Sequence, residues 1–88
     1  AEIVDAVGDK LDVICEGGIH RGTHMLKALS LGAKACSGGR LYLYALAAAG
    51  QAGVERAVNQ YRLELERDMK LMGCNKISDL NRNNLRFR

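Results

Sequence analysis

Apolar residues along the 88-residue chain gather in short runs cut off by glycine, followed by one long stripe at helical spacing. Ile3, Val4, Ala6 and Val7 before Gly8 predict the last turns of a helix closed by a glycine. Residues 11–15 are an apolar run ended by Gly17-Gly18, which predicts a short strand buried on both faces, as in a parallel sheet. Thr23 is the expected N-cap of a helix through Leu31, with Met25, Leu26, Ala28 and Leu29 on its apolar side and Gly32 closing it. Residues 33–36 predict a second strand, and residues 41–49 a short helix interrupted by Gly50 and Gly53. From about Val54 to Met72 a long helix is expected, ended by Gly73. Val54, Ala57, Val58, Tyr61, Leu65, Met69 and Met72 form its predicted buried stripe. On its outer side Arg62–Glu66 and Glu66–Lys70 are i,i+4 pairs, and Glu64 and Asp68 read as part of the same solvated charge face. A last turn begins at Ser78.

The predicted order is α–β–α–β–α–α. Two strands separated by a helix imply a parallel pair with a right-handed crossover. Two strands alone leave bare edges and an uncovered face, so residues 1–88 are expected to be one α/β segment of a larger barrel. Each strand leads into a glycine pair, Gly17-Gly18 and Gly38-Gly39, and Arg40 follows the second. Backbone N–H groups converging beside a helix N-terminus attract a phosphate, because the amides donate and the helix dipole is positive there. The two turns together predict one shared anion site. Each pair taken alone also fits an ordinary βα turn, and Arg40 also fits as a partner for Glu16.

Charge and cysteine content narrow the function classes. Thirteen Lys/Arg against ten Asp/Glu give a net charge of +3. Arg82, Arg86 and Arg88 stand near the end with no acid among them. There is no aromatic platform beyond Phe87 and no nucleic-acid motif, so a solvated tail or a subunit contact is expected instead of nucleic acid. Cys15, Cys36 and Cys74 are an odd number at wide spacing; Cys15 and Cys36, inside apolar strand runs, read as small buried hydrophobes, and a reducing compartment is expected. His20 and His24 lie four apart, but His20 precedes the helix and no third ligand joins them, so no metal site is expected. His24 reads as a solvated first-turn residue. No apolar run reaches the roughly 20 residues a membrane span needs. A cytoplasmic location is expected, with peripheral membrane association as the alternative.

The octapeptide Glu16-Gly17-Gly18-Ile19-His20-Arg21-Gly22-Thr23, the stretch from Met25 to Ala33, and Gly38-Gly39-Arg40-Leu41 resemble the C-terminal quarter of the FMN-dependent α-hydroxy-acid dehydrogenase/oxidase family. That family includes glycolate oxidase, flavocytochrome-type lactate dehydrogenases and mandelate dehydrogenase. Residues 42–55 and 68–74 extend the resemblance to nearly the whole chain. It implies a TIM barrel, with this chain supplying strands 7 and 8, their helices and the C-terminal helices. It also implies FMN as cofactor, a small lactate- or glycolate-like 2-hydroxy acid as substrate of the parent enzyme, and a homo-oligomer, tetrameric in related enzymes.

Carried over position by position, Gly17, Gly18, Gly39 and Arg40 would hold the FMN phosphate, the glycines by letting backbone approach and Arg40 by a charge-assisted fork. Glu16 falls where the family has an Asp near the ribityl–phosphate chain, and His20 where it has a phosphate-clamping Arg. Gly38 stands for an Ile and Leu41 for a Pro. The family's catalytic residues lie upstream of this segment, so it is expected to hold none and to be inactive alone. Two other readings remain at this point. One is a fragment of another phosphate-binding barrel, IMP dehydrogenase-like or isopentenyl diphosphate isomerase-like. The other is a non-catalytic remnant that oligomerises through its strand edges.

Overall fold

The computed structural model describes residues 1–86. Its elements are helix α1 (Glu2–Val7), strand β1 (Ile14–Cys15), helix α2 (Gly22–Ser30), strand β2 (Ala35–Cys36) and helix α3 (Arg40–Leu71), followed by single 3-10 turns at Ile77–Asp79 and Arg82–Asn84. The strands pair in parallel, Ile14 with Ala35 and Cys15 with Cys36, and α2 forms the crossover between them. Both strands are shorter than their apolar runs predict. Nor is the apolar run of residues 11–15 covered on both faces: Leu11, ahead of β1, is 64% exposed and Ile14 62%. A lone two-strand sheet has nothing to lay against its second face.

Helix α3 is two arms joined at a bend. Ala49 (φ −152°, ψ 25°) and Gly50 (φ 58°, ψ −142°) leave the helical region, and the left-handed φ at residue 50 favours glycine. The bend thus sits at Gly50. Gly53 continues the second arm, and a Cβ there would fall 2.1 Å from the Ala45 carbonyl oxygen, so its absence lets the arms approach.

The core forms where α2 crosses the second arm of α3. Leu26, Met69, Cys74 and Leu80 are buried together, with Leu29 and Leu65 packed against them. Gly22 allows the crossing, since a Cβ there would lie 2.5 Å from both the Glu64 Cβ and the Leu65 nitrogen. The predicted stripe therefore holds only in part. Tyr61 and Met69 are buried, whereas Val58 and Met72 face outward, and Glu64, at 4% exposure, takes a buried place instead. Glu64 and Asp68 belong to the packed face and not to a solvated one. Arg62–Glu66 is an ion pair at 2.9 Å, and among the described residues Glu66 makes no pair with Lys70.

The basic end is not wholly free, because Arg82 pairs with Asp5 of α1. Arg88 and Phe87 lie outside the described residues. Among those described, no helix is long and apolar enough to cross a membrane.

Candidate anion-binding cleft

Because Cys15 and Cys36 are register partners, the turns that follow β1 and β2 leave the sheet side by side. Gly17 (φ 100°) and Gly18 (φ 70°) both occupy the left-handed region, and a Cβ on either would meet nothing within 4 Å. Backbone conformation therefore selects glycine here, and the space in front of the turn is open. The second turn ends at Gly39, the N-cap of α3. A cleft of about 290 Å³ lies between the turns. Glu16, Gly17, Gly18, His20, Gly39 and Arg40 all line it, together with Ile19 and Leu41.

Among the described residues, the N–H groups of Gly17, Gly18, Arg40 and Leu41 have no acceptor. The last two are the orphan donors of the first turn of α3, where the helix dipole is positive. Arg40 is exposed and pairs with no carboxylate among the described residues, Glu16 included. Glu16 instead reaches across, its Oε1 3.6 Å from where a Gly39 Cβ would stand. Free N–H donors, a helix N-terminus and an unengaged guanidinium suit a phosphate. The Glu16 carboxylate suits a hydroxyl donor at the rim. Gly38 has a packing reason too, as a Cβ there would lie 2.9 Å from the Tyr42 ring. Tyr42 fills the space beside the strand end.

Three contacts brace the first turn. His24 is half-buried, not solvated, and its Nδ1 lies 3.1 Å from the Gly18 carbonyl and 3.3 Å from the His20 N–H. The buried Tyr61 hydroxyl donates to the Ile19 carbonyl, and its ring meets Tyr42 edge-on with centroids 5.9 Å apart. Burial, chiefly, pushes the Tyr61 phenol up.

The third brace is a carboxylate whose role the sequence did not reveal. Glu64 accepts from Arg21 Nε at 2.9 and 3.0 Å, from the Gly22 N–H at 2.8 Å and from Gln60 at 3.1 Å. These bonds, Arg21's foremost, hold its carboxyl down to about 2. Thr23 is not the N-cap of α2. Arg21 holds that position without a capping side chain, and the Thr23 hydroxyl donates to Asp68 at 2.5 Å. That bond, and a second from Arg67, lower the Asp68 carboxyl. The α2 N-terminus is thus capped from α3. The available signal was a helix start with no Asp, Asn or Ser before it, set against two carboxylates four residues apart on the partner helix.

The sequence model of the FMN-dependent dehydrogenase family matches residues 1–87. The chain belongs to the FMN-dependent dehydrogenase family. Family members similar to it include a peroxisomal (S)-2-hydroxyacid oxidase of Arabidopsis thaliana, 44% identical over 97% of this chain and 23% of that protein. The L-lactate dehydrogenase (cytochrome) of Saccharomyces cerevisiae is 49% identical over 82% of this chain and 12% of that protein. Among solved structures, a soluble mutant of the membrane-associated (S)-mandelate dehydrogenase from Pseudomonas putida superposes with a TM-score of 0.92 at 33% identity, covering 99% of this chain and 24% of that one. The flavin-binding domain of baker's yeast flavocytochrome b2 gives 0.85 at 43% identity, over 93% and 21%. These are TIM-barrel enzymes, and the chain has the fold of part of such a barrel. It spans about a quarter or less of the length of these relatives. Family membership sets aside the IMP dehydrogenase-like and isomerase-like readings.

Proposed function

We propose that this chain is the C-terminal, FMN-phosphate-binding part of an FMN-dependent 2-hydroxy-acid dehydrogenase or oxidase, contributing strands 7 and 8 of its barrel. The observation that carries the reading is the convergence of both glycine turns, Arg40 and the α3 N-terminus on one cleft at the carboxyl ends of two parallel strands. Barrel enzymes seat phosphates at that face, after their last two strands. The N–H groups of Gly17, Gly18, Arg40 and Leu41 would donate to the phosphate oxygens, with the Arg40 guanidinium supplying charge. His20 would add an imidazole N–H donor, and Glu16 would accept from a ribityl hydroxyl. Bound FMN supplies the two-electron redox chemistry. The residues that act on the hydroxy acid belong to the rest of the barrel, which also covers Leu11 and Ile14.

Comparing FMN with riboflavin on the full-length polypeptide tests this. The two ligands share a ring and ribityl chain and differ in the phosphate. The reading expects riboflavin to bind at least about tenfold more weakly, the scale of one charge-assisted hydrogen bond. Equal affinities would remove the phosphate from this cleft.

A further inference from the structure

Directly beneath the cleft, the roots of the two glycine turns each carry a thiol. Cys15 precedes Glu16-Gly17-Gly18, and Cys36 precedes Ser37-Gly38-Gly39. They are Cα partners in the parallel ladder. Neighbouring strands lie about 4.7–4.9 Å apart, inside the roughly 4.4–6.8 Å Cα separation that disulfides span. Register partners in a parallel pair point to the same face of the sheet. Here that face is the one under α2: Cys36 Sγ lies 3.9 Å from the Met25 carbonyl, and Cys15 lines an apolar cavity with His24 and Ala28. Both thiols are free and half-buried.

We infer that Cys15 and Cys36 form a reversible dithiol–disulfide couple, oxidised by hydrogen peroxide, that ties the roots of the two turns together. One thiolate attacks peroxide, giving a sulfenic acid and releasing one water after protonation. The second thiolate attacks that sulfur, forming the S–S bond and expelling a second water. Two electrons leave the two thiols and reduce one peroxide to two waters. Burial, and secondarily the neighbouring Cys15, push the Cys36 thiol up, which disfavours its thiolate and slows its own attack on peroxide. Cys74 lies apart, buried in the α2–α3 core, and serves as an internal control. The inference does not depend on what the cleft binds.

The test is peptide mapping of the native full-length protein under non-reducing conditions, before and after hydrogen peroxide. The expected product is a Cys15–Cys36 cross-linked peptide pair, lighter by two hydrogens than the separate peptides and released by dithiothreitol, with Cys74 unlinked. In Cys36→Ser the link is absent and Cys15 stops at a sulfenic acid that a dimedone-type probe captures. Native Cys15 and Cys36 that stay as thiols, or that oxidise singly to sulfinic acids, would overturn the inference without any variant having to fold.

Discussion

Glu64 and Gly22 stand 42 residues apart, yet the Glu64 carboxylate accepts the Gly22 N–H at 2.8 Å while also gripping Arg21. One side chain of α3 thereby caps α2 and fixes the segment that leads out of the first glycine turn. Replacing Glu64 by Ala removes the cap and leaves the Gly22 N–H buried without an acceptor. The expected cost is about 2 kcal/mol, at the upper end for a lost cap because Arg21 also loses its partner. Urea unfolding measures it, and Glu64→Gln, whose amide oxygen can still accept, should lose less.

The same carboxylate gives stability a pH signature. Its folded value near 2 lies below its ordinary 4.5, so its contribution is complete above the unfolded value and disappears as pH falls through the folded one. The stability difference between the wild type and Glu64→Gln should be flat from about pH 6 to 8 and shrink between about pH 5 and 2. A gap that persists unchanged at about pH 2 would show that the ionised form is not what binds Arg21.

Ser30 is the reverse case. Its hydroxyl is the buried side-chain polar atom left without a partner among the described residues, on a side chain 2% exposed. Ser30→Ala should be neutral or stabilising by up to about 1 kcal/mol, since no hydrogen bond is lost and a desolvated hydroxyl is removed. Thermal melting decides it.

Gly22 and Gly17 should respond differently to alanine. At Gly22 the new Cβ would sit 2.5 Å from Leu65 backbone, so the α2–α3 crossing must open, at a cost of about 2 kcal/mol or more. At Gly17 there is room, and the cost is the positive φ, about 1 kcal/mol. Unfolding both variants under one condition gives the ranking directly.

At the cleft, Arg40→Ala should weaken FMN by about tenfold to a hundredfold through loss of a charge-assisted contact. His20→Arg should tighten it at neutral pH by restoring a permanent charge and a bidentate fork. Fluorescence titration with FMN reads both.

Much of this cleft was legible because glycine pairs and a following arginine are local signals. Positive φ at Gly17 and Gly18 is a property of the turn itself, and the register of two short strands brings the turns together. The capping carboxylates were not legible. On a period of 3.6 residues, Glu64 and Asp68 interleave with Arg62, Arg67 and Lys70, so the pattern reads as a charged surface. Only the crossing at Gly22 turns that side inward. Val58 and Met72 failed for the matching reason: the second arm meets α2 through Glu64, Leu65, Asp68 and Met69, and those two side chains stand exposed outside that set. Strand ends were misjudged because burial on two faces needs neighbours that 88 residues do not contain. Gly38, which stands for an Ile in the resemblance, has its reason in a residue four positions on, whose ring occupies that volume: Tyr42.

The bend at Gly50 has a mechanical consequence. It folds α3 back so that Tyr42, two residues into the helix that opens at the cleft, leans on Tyr61 of the returning arm, and Tyr61 in turn holds the Ile19 carbonyl on the opposite wall. Floor, wall and roof are joined in a closed ring by one stretch of chain. A straight helix would leave the two walls free to drift; the folded one works as a clasp, so the width of the cleft is set within this segment.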